Sequence, residues 1–153
     1  MIFPAYSANA VPVVFGGGLA LDFGKTFLDN RPILGSHKTF KGFIAGLVTG
    51  TLVGIGESYL FSGYSPFLGF MLSLGALVGD LAGAFLKRRL GLTPGTSLPI
   101  VDQIDFVLGA LLLSSTINPI SPVMVLLIVL LTIPIHIFTN LLAYLAHAKK
   151  KPW

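Results

Sequence analysis

The sequence predicts an all-α polytopic membrane protein, a single transmembrane domain over residues 1–153 with about five transmembrane helices and a charged cavity open to the cytoplasmic side. Three observations predict it. Of the 153 residues, 54% are apolar and only 10% charged, where ordinary soluble domains carry about 25% charged residues. The mean hydropathy is +0.86, more apolar surface than one short water-facing globule can bury. All ten lysines and arginines fall in three short stretches between long apolar runs.

The elements follow in order. Met1 to Phe15 has no basic residue before its apolar stretch and no small-residue cleavage pattern, so it is not read as a signal peptide. Its fifteen residues, broken by Pro4 and Pro12, are short for a crossing, and the segment is read either as a first span or as lying in the membrane interface. Gly42 to Phe61 carries one charge, Glu57, and its twenty residues extend about 30 Å as a helix, the thickness of a hydrocarbon core. Glu57 lies near the outer end of that span and is read as structural or interfacial. After the uncharged turn Ser62 to Tyr64, Ser65 to Leu86 forms the next span, with one charge at Asp80, and stops at Lys87, Arg88 and Arg89. Phe106 to Ile117 is too short alone, so that helix is placed over 99–117, starting near Pro99 with Asp102 and Asp105 in its first turns. A second turn, Asn118 to Pro122, leads to a last span from Val123 to His147. Small-residue ridges at a spacing of four, Gly42, Gly46, Gly50, Gly54 and then Gly75, Gly79, Gly83, let helix backbones approach closely in lipid. They carry no chemistry, and a homo-oligomer is compatible with them.

The basic residues sit in the loop 16–41, the loop 87–105 and the tail Lys149 to Lys151. Each is separated from the next by two spans and a short turn, so parity and the positive-inside rule put all three in the cytoplasm of a multi-pass cell-membrane protein. The net charge of +4 is therefore no sign of nucleic-acid binding, which needs a solvated basic surface. The tail reads as an anchor for anionic lipid.

Asp80 lies in the cytoplasmic third of its span. A buried acid there usually faces a polar cavity, and its spacing to Ala84 and Lys87 (i, i+4, i+7) leads from the acid to the basic mouth. The bland alternative is a carboxylate that Lys87 merely satisfies. Asp102 and Asp105, at i and i+3, present two hard oxygen donors to one point, as Mg²⁺ needs when it also holds substrate phosphates. The same pair could instead complement the helix dipole. The first loop combines Gly16, Gly17 and Gly18 with Lys25, Arg31, His37, Lys38 and Lys41 in a surface that could cradle a polyanion or contact anionic lipid. It is no Walker motif, because Gly24-Lys25-Thr26 lacks the required upstream glycine. In the last span Thr132, His136 and Asn140 form an i, i+4, i+8 stripe suited chiefly to interhelical hydrogen bonds, with ligand contact by Asn140 the minority reading. The three histidines make no zinc-site spacing.

With GSHKTFKG (35–42), LGALVGDLAGAFLKRRLGL (74–92) and VDQIDF (101–106) on the page, the chain resembles the CDP-archaeol synthase family; PVVFGGG (12–18) and LDFGKTFLDNRPILG (21–35) extend the resemblance over nearly its whole length. It is also distantly similar to CDP-diacylglycerol synthase through Gly79-Asp80, Lys87-Arg88 and Asp102 with Asp105. It departs from that pattern at Ala84, usually serine, and Gln103, usually arginine; Ser36 stands where the archaeol branch is often acidic. The resemblance implies a transferase of phospholipid biosynthesis, a CTP-dependent cytidylyltransferase that moves CMP from CTP to 2,3-di-O-geranylgeranylglyceryl phosphate, giving CDP-archaeol and pyrophosphate in an archaeal membrane. It implies Mg²⁺ as cofactor and CTP, the isoprenoid ether lipid phosphate and membrane lipids as partners. On that reading Asp80, Asp102 and Asp105 hold the metal and, with Lys87, form the catalytic set; Asp22, Lys25, His37, Lys38, Arg88 and Asn140 bind CTP or phosphate. The alternative is a transporter or channel subunit. It would need polar groups through the full membrane depth, whereas here they crowd one side.

Overall fold

The computed structural model describes residues 2–96, 98 and 100–145, and these form five helices: α1 (Phe3–Phe15), α2 (Phe40–Leu60), α3 (Pro66–Arg89), α4 (Val101–Ser114) and α5 (Pro122–Leu145). The tail lysines 149–151, His147 and the expected helix start at Pro99 lie outside the described residues. Local chemistry sets the helix ends. Thr39 caps α2 by accepting from Gly42 N, Ser65 caps α3 by accepting from Leu68 N, and Pro66 occupies the first turn of α3, where its missing N–H costs nothing. Lys87, Arg88 and Arg89 close the last turn of α3, where cations complement the helix dipole.

Three helices are long and apolar enough to cross a membrane: Phe40–Leu60, Pro66–Arg89 and Pro122–Leu142. The other two are shorter. α1 has 13 residues and continues through Pro12, and α4 has 14. The expected fourth span over 99–117 is thus a shorter helix over 101–114. Ile100, at φ 74°, takes a left-handed conformation that a β-branched residue rarely adopts, which sets the start of α4 at Val101.

The glycine ridges set the helix packing. A Cβ on Gly42 would press on Pro12, one on Gly46 would meet the Ala8 carbonyl, and one on Gly50 the Pro4 carbonyl, so α1 runs antiparallel along the loop-side half of α2. On the same ridge Gly46 faces Leu77, Gly50 faces Ser73 and Gly54 touches the backbone of Gly69, which fixes α2 antiparallel to α3. The second ridge turns the other way: Gly75 and Gly79 lie against the backbone of α4 at Gly109, and Gly83 lies under Asp105. α3 is therefore the central helix, touching α1, α2 and α4. The core between them contains Leu68, Leu72, Ala76, Phe106, Val107 and Ala110. α5 packs on α4, and a 2.7 Å hydrogen bond between Tyr6 and Thr132 ties it to α1.

Glu57, expected to be structural or interfacial, is 6% exposed and so is buried within the protein. Its polar neighbour is Tyr64, from the α2–α3 turn, but neither side chain finds a hydrogen bond of good geometry. Burial, followed by the charge of Glu57, pushes the Tyr64 phenol well above its ordinary value.

Two glycines of α2 separate packing from propensity. A Cβ at Gly54 would overlap the Gly69 backbone, whereas one at Gly56 meets nothing within 4 Å. Gly54→Val should destabilise the protein by about 1–3 kcal/mol. Gly56→Ala should be neutral or stabilising by up to about 1 kcal/mol. Thermal unfolding in detergent compares the two.

Candidate active site

Charged side chains converge where the 16–39 loop and the segment after α3 cover the ends of α3 and α4. Lys38, the residue before the α2 cap, donates from Nζ to both oxygens of Asp80 at 2.6 Å. Two turns along α3, Lys87 Nζ donates to Asp102 Oδ1 at 2.6 Å, while Asp102 Oδ2 accepts from Leu98 N at 3.0 Å. Asp105 lies over Gly83, between Asp80 and Lys87 along α3, and accepts at 2.6 Å from the N–H of Phe106. It comes within electrostatic reach of Asp80, Asp102 and Lys87. Arg88, 3% exposed and within reach of Asp102, has Nε and Nη1 without a hydrogen-bond partner. Burying a guanidinium with free donors is costly unless an anion completes it.

Asp80, Lys87, Asp102, Asp105, Lys38 and Arg88 thus come to one end of the α3–α4 pair. The three acids do not form a ready-made metal cage. Among the described residues no group of three or more His, Cys, Asp or Glu is placed to hold an ion by itself, and ammonium groups engage Asp80 and Asp102. Of the three, Asp105 is the acid with no cation at ion-pair distance among the described residues.

The remaining sequence candidates are spread around this cluster. Asp22 is built into the loop, where its carboxylate accepts from the backbone of Gly24 (3.0 Å), Leu34 (2.9 Å) and Gly35 (2.8 Å). Burial would raise this carboxyl, but the three backbone donors outweigh burial and hold it below the ordinary aspartate value. Lys25 is exposed on the same loop. His37 packs beside Gly95 of the second loop, and the neighbouring Gly35 lies against Pro94, so the two loops touch. Asn140 bonds His136 Nδ1 at 3.2 Å and lines a groove of about 460 Å³ between α1, α4 and α5. Phe106, the residue after Asp105, also lines that groove.

Sequence reasoning missed a latch. Arg89 pairs with Asp29, donates to the carbonyls of Pro32 (2.6 Å) and Arg31 (3.3 Å), and sits 4.8 Å and 5.0 Å from the ring centres of Phe27 and Phe85. Arg31 returns a 2.6 Å bond to the Arg89 carbonyl. The available signal was a third base in Lys87-Arg88-Arg89 facing the isolated acid of Asp29-Asn30-Arg31.

A family model described as CarS-like, CDP-archaeol synthase, matches residues 1–153. The chain belongs to the CDP-archaeol synthase family. Proteins named CDP-archaeol synthase from Pyrococcus furiosus and Methanopyrus kandleri are 45% and 44% identical to it, over 99% of this chain and 94% and 90% of theirs. The one from Thermofilum pendens is 44% identical, over 99% of this chain and 78% of its own. Among solved structures, that of an intramembrane enzyme for archaeal membrane lipids biosynthesis shares the fold with a TM-score of 0.87 at 36% identity, covering 91% of this chain and 89% of that one. A member of this family is a membrane-embedded transferase, and the comparisons give the transporter alternative no support.

Two predictions concern the loop of this family member. Because the Asp22 carboxyl is lowered on folding, its contribution to loop stability is complete at neutral pH and is lost as pH falls through the lowered value. Asp22→Asn should expose the loop to proteolysis at neutral pH, while the natural protein opens only in acid; trypsin and pepsin digests read the two conditions. Arg89→Asp should speed tryptic cleavage within 16–39 by about tenfold or more. Adding Asp29→Arg to that variant should recover part of the protection at the Lys25 and Lys38 sites, which both variants share.

Proposed function

We propose that this chain is a CDP-archaeol synthase whose charged end faces the cytoplasm and whose five helices form the intramembrane catalytic unit. The supporting observation is the convergence at that end of Lys38–Asp80, Lys87–Asp102, Asp105 and a buried Arg88 with free donors. A phosphate oxygen of 2,3-di-O-geranylgeranylglyceryl phosphate attacks the α-phosphorus of CTP. The new P–O bond forms as the bond to the bridging oxygen of the β-phosphate breaks, and pyrophosphate leaves with that electron pair. Both reactants are anions, so the barrier falls chiefly through positioning and charge neutralisation.

Arg88, Lys38 and Lys87 supply the cationic part, with Arg88 offering buried donors to a phosphate oxygen. The lipid phosphate is ionised near neutral pH, so the attacking oxygen needs no protein base. Hard carboxylate oxygens fit Mg²⁺, which ordinarily takes only one or two protein carboxylates and completes its shell with phosphates and water. Asp105 and, once their lysines turn to phosphate, Asp80 and Asp102 would hold it. When bound, the ion would neutralise charge on the attacking and leaving oxygens. The loop carrying Lys25 and His37 closes the nucleotide side of the cavity. The groove lined by Asn140 and Phe106 takes acceptor chain close to the reacting end.

The test is pyrophosphate release from CTP and Mg²⁺ by purified protein, with geranylgeranyl diether glycerol phosphate, with diacyl phosphatidate and without lipid. Release should depend on the lipid, favour the diether and yield a CDP-lipid. Asp102→Asn should lower turnover by about 100-fold or more with the unfolding midpoint unchanged. An active Asp102→Asn enzyme would remove that residue from the metal set.

A further inference from the structure

A second groove lies on the outer flank of the α1–α2 pair, away from the ion-paired cluster. It has a volume of about 440 Å³ and is lined by Val11, Phe15, Lys41, Ile44, Ala45, Val48 and Thr49. Along α2 it runs from Lys41 to Thr49, about 12 Å of helix. Apart from Lys41 and the half-buried Thr49 its lining is apolar, and Ile44 and Val48 stand 58% and 52% exposed in it. Lys41 is exposed at the loop end and takes part in none of the three ion pairs. Directly above, Gly16 lies against Gly42, and the backbone turns through Gly17 and Gly18 at φ 108° and 80°, with open space where their side chains would be.

We infer that this groove binds one anionic phospholipid of the surrounding membrane, with its phosphate on Lys41 at the Gly16–Gly18 turn and an isoprenoid chain lying along Ile44, Ala45 and Val48. Charge and depth together select the occupant. The cation stands where a helix leaves the hydrocarbon, which is where lipid phosphates lie, and the apolar surface descends from it into the core. A phosphocholine lipid brings its own quaternary ammonium beside the phosphate, so Lys41 gains less from it than from a lipid of net negative charge, and a soluble phosphate leaves the apolar surface uncovered. The reacting acceptor belongs at Asp80, Asp102 and Asp105; the groove lies on the flank of α2 turned away from its glycine ridge. The lipid held here is therefore a second one. Seated between Val11 and Phe15 of α1 and Ile44 and Val48 of α2, it would fill the outer seam of a helix pair whose inner seam is made of glycine.

The experiment reconstitutes the full-length protein in nanodiscs of equal parts phosphocholine and phosphoglycerol diphytanyl ether lipids and counts retained lipids by native mass spectrometry. Two variants accompany it: Lys41→Gln removes the charge, and Val48→Trp fills the groove without changing charge. The natural protein should retain one phosphoglycerol lipid in preference to phosphocholine. Each variant should lose that preference, Lys41→Gln by about fivefold, while Val48→Trp keeps its CTP turnover with the lipid phosphate. Equal retention by all three proteins, or no preference for the anionic lipid, overturns the site. Loss of turnover in step with loss of the retained lipid overturns the assignment to a second lipid and makes the groove the acceptor's own. Turnover by the natural protein is read separately, so failure of the proposed activity is not mistaken for failure of this site.

Discussion

The close approach of α3 and α4 at Gly79 and Gly109 governs the charged end of this protein. Lipid provides no hydrophobic drive between helices, so contact depends on how near two backbones can come. With no Cβ on Gly75, Gly79 or Gly109, α4 settles directly onto α3, and one turn further along its carboxylate at Asp105 has only Gly83 beneath it. A side chain at Gly83 would occupy the place of that carboxylate. The same ridge that packs the helices therefore also sets an acid between Asp80 and Lys87. The glycines, which carry no chemistry, decide where the chemistry can be.

The loop before α2 depends on this arrangement and reinforces it. Three backbone N–H groups around Asp22 give a 24-residue connection its internal shape without regular strands, helped by the isolated bridges Ala20–Thr39 and Thr26–Pro32. Cationic contacts then join it to α3 at two places: Arg89 reaches out from the helix to the loop and Arg31 answers to the Arg89 carbonyl, while Lys38 reaches from the loop to Asp80. These contacts lie on opposite sides of the last turns of α3, so the loop cannot lift without breaking both. Charge-assisted bonds to backbone carbonyls and a carboxylate give the hold direction as well as attraction.

The three long helices were legible in the sequence because hydropathy over twenty residues is a coarse signal that packing does not alter. The clustering of charge at one end was legible for the same reason. The limits of α4 were not, since they turn on the backbone conformation of Ile100, which no composition rule assigns to a β-branched residue. The ridges of α2 and α3 could be seen, but not their partners: Gly69 and Gly109 stand alone in the sequence and acquire meaning only from the opposing helix. The resemblance implies a nucleotide-site role for Asp22; that its carboxylate also takes the N–H groups of Leu34 and Gly35, more than ten residues away, is visible only in the fold. Position along the helix left Glu57 structural or interfacial, and its burial, with Tyr64 of the following turn as its neighbour, is visible only in the fold.

The pairing of Lys38 with Asp80 and of Lys87 with Asp102 has a consequence for how an anionic substrate enters. Each acid is charge-compensated within the protein, so in this arrangement the site offers a cation little beyond Asp105, and it offers an anion the unpaired donors of Arg88. On the proposed reading, polyphosphate is the ligand that this state favours first. As its oxygens draw Lys38 and Lys87 away, they leave Asp80 and Asp102 without their cations, and half-buried carboxylates without a cation attract a divalent ion. Nucleotide and metal would then bind cooperatively without any movement of the helices, through an exchange of partners among side chains that already touch.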